Sequence, residues 1–210
     1  MILDCHVVVP ERGVDVGFTV QPGRTLALTG PNGAGKSTVL SAVAGWLRPE
    51  SGHARLGERT LFDLAPGRSE WTPARRRQVG YLTQDPLLFP HLTAEANVAF
   101  GLRRAGVVHR AQRLQVARHW LDRMGVGHLA GRRPHQLSGG QAQRTAIARV
   151  LASGPDLVLL DEPLAALDAQ VVPQIRELLT EVLTGRTTVL VSHHHADVDA
   201  LADAEHRLSV

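Results

Sequence analysis

The chain has 210 residues, 43% hydrophobic and 20% charged, the make-up of a globular protein with one well-buried core and too little length for two full domains. Its single cysteine, Cys5, excludes an internal disulfide, and no run approaches the ~20 apolar residues that a membrane-spanning helix needs. A formal charge of +3 without a dense basic tract gives no sign of a nucleic-acid partner, and the N-terminus lacks the basic-then-apolar layout of a signal peptide, so a cytoplasmic protein is expected.

Ile2 to Val9 is rich in β-branched residues, and Val14 to Val20 alternates polar with apolar side chains, so both are predicted as antiparallel strands. After the turn Gln21-Pro22-Gly23, the apolar run Thr25 to Thr29 leads into Gly30-Pro31-Asn32-Gly33-Ala34-Gly35-Lys36-Ser37-Thr38, and a helix-like run follows from Val39 to Leu47. Strand, glycine-rich turn and helix start together fit the phosphate-binding loop G-x-x-x-x-G-K-[ST]. Its backbone N–H groups and the helix dipole favour anions; Lys36 can reach the β- and γ-phosphates, and Ser37 can ligate Mg²⁺. The chain is therefore expected to bind a nucleoside triphosphate.

Short strands are predicted near Ala54 to Leu56 and Arg59 to Phe62, and a buried strand at Val79 to Thr83 ahead of Gln84. Arg75-Arg76-Arg77 reads as a solvated loop face. From Asp85 to about Ala152 the pattern is helical, with Ala94 to Arg103, Arg110 to Met124 and Ser138 to Leu151 carrying apolar residues at three- and four-residue spacing. This segment reads as a helical insertion in an α/β core. Leu157 to Leu160 is a fully buried strand with Asp161-Glu162 at its end; Ala169 to Leu183 is a helix, with Pro173 near its first turn. A buried strand at Thr187 to Val191 ends at Ser192-His193, and the chain closes with a short helix, Ala196 to Ala202, and a strand, Arg207 to Val210.

An acidic pair at the end of a buried strand is the usual companion of a phosphate loop: Asp161 would hold Mg²⁺ and Glu162 would polarise an attacking water. In Leu137-Ser138-Gly139-Gly140-Gln141, Ser138 can cap the following helix, and the glycines leave N–H groups open to an anion; read alone, this is equally an ordinary capped helix start.

Taken in order, Gly30 to Thr38, Gln84, Leu137 to Gln141, Leu157 to Glu162, Ala166-Leu167-Asp168 and His193 resemble the nucleotide-binding subunit of ATP-binding cassette (ABC) transporters over nearly the whole chain. The resemblance implies an α/β P-loop core with an antiparallel β subdomain and a helical subdomain at about 85–152, all in one domain of 1–210 that lacks the C-terminal regulatory domain of many importer ATPases. It implies Mg²⁺-dependent ATP hydrolysis by two copies closed head to tail, with Ser138, Gly139, Gly140 and Gln141 of one copy facing the phosphates held by the other. Gln84 would sense Mg²⁺ and couple to the permease, Asp168 would reach across the dimer, and His193 would stand near the γ-phosphate.

The expected partners are a second copy, a transmembrane permease and, indirectly, a solute-binding protein, at the cytoplasmic face of the membrane. Two departures stand out: Ile2 to Arg12 holds no aromatic residue to stack on adenine, leaving His6 as the nearest candidate, and His194 occupies a place where the family usually has Asp. Gln84 to Thr93 with Asn97 to Leu102 resembles importer ATPases for molybdate, sulfate, iron and polyamines, and together with Leu137 to Arg144 it resembles the molybdate-type branch most of all. The rival reading is a soluble ABC-type ATPase unconnected with transport.

Overall fold

The computed structural model describes residues 1–102, 107 and 109–209; Arg103 and Val210, the predicted ends of a helix and a strand, lie outside the described residues. In chain order the elements are β1 (Leu3–Val9), β2 (Val14–Val20), β3 (Thr25–Thr29), α1 (Lys36–Ala44), β4 (Ser51–Leu56), β5 (Arg59–Ala65), β6 (Arg68–Trp71) and β7 (Val79–Leu82). They continue with α2 (Ala94–Leu102), α3 (Arg110–Arg123), α4 (Gly139–Ala152), β8 (Leu157–Asp161), α5 (Val172–Leu183), β9 (Thr187–Val191), α6 (His195–Leu201) and β10 (Ala204–Arg207). The chain divides into two compact units, one of Met1–Tyr81, Asp156–Asp161 and Thr180–Val210, the other of Leu82–Pro155 and Glu162–Leu179.

The first unit holds two sheets. One runs β2-β1-β4-β5-β6 with antiparallel pairing, and in β1 the inward residues Leu3, Cys5, Val7 and Val9 alternate with more exposed ones, as a half-buried strand requires. The other runs β10-β3-β9-β8-β7, and its strands β10, β3, β9 and β8 are parallel neighbours. β8 and β9 are buried at every residue, which explains their unbroken apolar sequences. Both sheets share one core with α1, whose Val39, Leu40, Ala42 and Val43 are fully buried.

Several sequence expectations move. α1 begins at Lys36, three residues before the apolar run, and stops at Gly45, which is left-handed. α5 begins at Val172 rather than Ala169, placing Pro173 in the first turn where its missing N–H costs nothing. The last strand is Ala204–Arg207 rather than Arg207 onward: it is polar and exposed at a sheet edge, so it carries no apolar signal, whereas Leu208 is a buried anchor beyond it. β6, equally polar and exposed, is a further strand with no apolar signal.

The triple arginine needs the largest correction, since Arg77 is fully buried while Arg75 and Arg76 are exposed. Its guanidinium donates to the carbonyls of Ala42 (2.7 Å) and Val43 (2.9 Å) at the C-terminal end of α1, and to Thr72 O at 2.7 Å. It also lies 4.3 Å from the centroid of the Trp71 ring. A cation there meets the negative end of the helix dipole and satisfies carbonyls that the helix cannot. Burial pulls its pKa down to about 10, so it remains charged at neutral pH. Arg77→Ala is expected to lower unfolding free energy by at least ~2 kcal/mol, since each orphaned buried acceptor costs ~1–3 kcal/mol. Arg76→Ala should stay within ~0.5 kcal/mol of the parent in the same urea titration.

In the second unit α2, α3 and α4 pack pairwise on one another through Val98, Leu102, Ala117, Leu121, Ile147 and Leu151, all buried. Asn97, fully buried in α2, accepts from Phe89 N (2.7 Å) and donates to the carbonyls of Phe89, Leu92 and Thr93. Arg149 of α4 donates to Leu87 O (2.9 Å) and Pro86 O (3.0 Å). Two side chains thus fix an irregular segment, 86–93, that has no regular hydrogen bonding of its own.

Candidate nucleotide-binding site

Three adjacent parallel strands, β3, β9 and β8, finish at the same edge of their sheet. That edge carries the Gly30–Gly35 loop after β3, Ser192-His193 after β9, and Asp161 as the last residue of β8. Carboxyl ends of parallel strands are where ligands collect in open α/β sheets, because loops and helix N-termini converge there.

The loop is held open by its glycines. Gly35 caps α1 at φ 85°, and a Cβ there would come within 2.2 Å of a Val14 methyl, so no other residue fits without displacing β2. Lys36 is 6% exposed, and its Nζ donates to Gly30 O and Pro31 O, both at 2.8 Å, so the ammonium lies across the loop rather than in solvent. The first turn of α1 contains no acidic residue, which leaves its positive end open to an anion.

Asp161 is 4% exposed, and burial raises its pKa. Opposing that rise are a hydrogen bond from Ser37, the Lys36 charge, a hydrogen bond from Tyr81 and the His193 charge. Burial pushes the Tyr81 phenol up to about 12, so it stays protonated and can donate. Ser37 and Asp161 supply oxygen donors, the chemistry Mg²⁺ prefers, and among the described residues no three His, Cys, Asp or Glu gather as a metal site. Such a pair suits an ion that arrives with phosphates rather than one caged by protein.

The turn carrying His193 is fixed from behind. Ser192 Oγ donates to the buried Asp197 carboxylate (3.2 Å) and accepts from His194 N (3.1 Å), so the His193 ring is presented on a braced turn and remains exposed.

The second unit carries the other predicted residues. Gln84 is exposed just beyond β7, at the start of the stretch that Asn97 and Arg149 fix. Ser138 caps α4 through a reciprocal box, accepting from Gln141 N (3.3 Å) while its own N–H donates to Gln141 Oε1 (2.9 Å). Gly139 is exposed at the first helical position, and a Cβ on Gly140 would meet Ala166 O at 3.1 Å, so the helix start packs closely on the Ala166-Leu167-Asp168 run. Burial lowers the pKa of Arg144, and the exposed Asp168 opposes that shift through its charge. Glu162 sits at φ 50°, a left-handed conformation uncommon for a non-glycine residue and a form of strain that clusters at functional sites. The sequence reading missed Arg12, Tyr81 and Arg77; Arg12 donates to Thr38 Oγ1 at 3.3 Å, whereas His6 is engaged by Asp15 at 2.7 Å.

A phosphate loop opening a helix, an acidic strand end on the same sheet edge and a capped Ser-Gly-Gly-Gln helix start define the P-loop ATP-binding cassette class. A solved dimeric ATP-binding cassette, in a post-hydrolysis state with ADP and phosphate, superposes with a TM-score of 0.87 at 28% identity, covering 100% of this chain and 94% of that one. The family model for ABC transporters matches residues 14–165, and the chain belongs to that family. It is 50% identical over 206 residues to the molybdenum import ATP-binding protein ModC of Mycobacterium tuberculosis H37Rv, covering 96% of this chain and 55% of that protein. It is 45% identical over 192 residues to the Fe(3+) ions import ATP-binding protein FbpC 2 of Rhodococcus jostii, covering 90% and 52%. The chain thus spans about half the length of the curated relatives it matches.

Folding raises the Asp161 carboxyl above its unfolded range near pH 4, so the stability linked to its protonation is full below about pH 4 and is lost as pH rises through the raised value. At neutral pH the buried ion therefore burdens the nucleotide-free fold. Asp161→Asn is expected to raise the melting temperature at pH 7 in EDTA, by ~2–4 °C per kcal/mol relieved, and to leave it little changed below about pH 4. A lower melting temperature at pH 7 would mean that the bonds from Ser37 and Tyr81 outweigh the burial cost.

Proposed function

We propose that the chain is the ATP-hydrolysing subunit of an importer for a small solute, with molybdate as the leading candidate. It would work as a head-to-tail pair docked on a separate permease at the cytoplasmic face of the membrane. The observation that carries the proposal is the gathering of Lys36, Ser37 and Asp161 at one sheet edge, with Asp161 buried and both Ser37 and Lys36 favouring its charged form.

In this reading the loop N–H groups and Lys36 hold the β- and γ-phosphates, while Ser37 and Asp161 hold Mg²⁺. The ion, when bound, neutralises charge developing on the phosphoryl oxygens. Glu162, next in the chain to Asp161 and fixed in its unusual backbone conformation, orients the attacking water, and His193 stabilises charge near the γ-phosphate. The signature Ser138-Gly139-Gly140-Gln141 of a second copy completes the site, so one chain alone is catalytically incomplete. Gln84 carries the state of the site toward the permease, and Asp168 contacts the opposing copy. A solute-binding protein acts on the other side of the permease and does not touch this chain.

A peripheral location agrees with there being no helix among the described residues long and apolar enough to cross a membrane. Molybdate is favoured over iron by the higher identity to the molybdenum import relative, and iron is the second reading because the iron import relative follows closely. The relatives named above are import ATP-binding proteins, which favours transport over a soluble ATPase.

Glu162→Gln is expected to retain ATP binding and lose turnover by ~10²–10⁴-fold, the range for removing a general base. Unchanged turnover would remove Glu162 from the mechanism. Assembled with its permease and solute-binding protein in vesicles, the parent should hydrolyse ATP faster with molybdate or tungstate than without; stimulation by ferric iron instead would support the second reading.

A further inference from the structure

Arg12 is the last residue of the short turn, Pro10–Arg12, that joins β1 to β2. Gly13, left-handed at φ 63°, turns the chain back immediately after it. The side chain reaches the phosphate loop, where Nη1 donates to Thr38 Oγ1 at 3.3 Å. Among the described residues that is its one hydrogen bond, with no carboxylate paired to it and no aromatic ring under it. Thr38 lies in the first turn of α1, which holds no acidic residue and already contains Lys36. Asp161 faces Ser37 and Lys36 in that turn, so a guanidinium brought to Thr38 with no acid paired to it adds a cation at the positive end of a helix, a place that favours an anion. Arg24 and Arg55, also exposed, do have acids, pairing with Asp203 and Asp63.

The order of the ligand's phosphates along the loop says which anion. Lys36 would serve the β- and γ-phosphates, and Ser37 the Mg²⁺ that accompanies them. The position after Ser37 is Thr38, which leaves the α-phosphate, the one joined to the ribose, at the point where Arg12 arrives.

We propose that Arg12 is a second phosphate-binding cation of this site, delivered by the β1–β2 turn to the α-phosphate of the bound nucleotide. The inference rests on the reading of the loop as a triphosphate site. Arg12 is a binding residue, so its loss weakens nucleotide affinity. Because the side chain is exposed and makes one long hydrogen bond, its loss does not lower the stability of the nucleotide-free protein.

The test is isothermal titration of the full chain with ATP and, separately, with inorganic tripolyphosphate, both with Mg²⁺, for the parent and for Arg12→Ala, Arg12→Lys, Arg12→Trp and Lys36→Ala. Arg12→Ala should lose about tenfold in affinity for both ligands, the scale of one charge-assisted hydrogen bond, with an unchanged melting temperature before ligand is added. Arg12→Lys should recover most of the loss and Arg12→Trp none of it. Parent-like binding by Arg12→Ala while Lys36→Ala is impaired would overturn this inference alone; parent-like binding by both would overturn the triphosphate site itself. A loss confined to ATP, or recovery with Trp, would mean that the side chain acts on the base, which also overturns the phosphate assignment.

Discussion

A carboxylate buried at the end of β8 is the constraint on which the site depends. Burial raises the pKa of Asp161 and so works against the charged form that would hold a cation. Ser37 and Lys36 from the phosphate loop, Tyr81 from β7 and His193 from the turn after β9 all act to restore the charge. Segments far apart in the chain are thus tied to one carboxyl group, and their common position follows from β3, β9 and β8 lying side by side and parallel. The site is an edge of a sheet first and a set of residues second.

The helix between loop and core carries the same logic through the fold. α1 is only nine residues long, and both its ends are determined from outside it. At its C-terminal end Arg77 supplies the donors and the positive charge that the helix lacks, while its first turn contributes no acid of its own and meets Lys36, Arg12 and the Asp161 carboxylate. The molecule therefore satisfies the end that packs in the core and leaves unsatisfied the end that faces a ligand. The second unit shows a related economy: Asn97 and Arg149 fix an irregular stretch after Gln84 by hydrogen bonds to its backbone, and Ser138 with Gln141 completes the N-terminus of α4.

Much of this was legible in the sequence because the signals were local. β3 and β9 could be read to the residue from apolar runs, and Lys36 and Ser37 from their spacing after the glycines. The cap at Ser138 was readable because its partner, Gln141, is three residues away. What escaped was decided by distant contacts. Arg77 looks like Arg75 and Arg76 in sequence, and only the carbonyls of Ala42 and Val43, some thirty-five positions earlier, make it a core residue. Arg12 is likewise defined by a residue 26 positions away. Polar edge strands such as β6 and β10 give no periodic signal because neither face is buried, and their pairing comes from the neighbouring strand alone.

The most direct test is the Mg²⁺ dependence of ATP affinity, measured at pH 7 on the parent chain and on Asp161→Asn by titration with and without the ion. The account predicts that Mg²⁺ tightens ATP binding by the parent and has little effect on the variant, which still binds the phosphates through Lys36 and the loop. An equal response to Mg²⁺ in both proteins would contradict it, because the ion would then be held without the carboxylate around which the site is arranged.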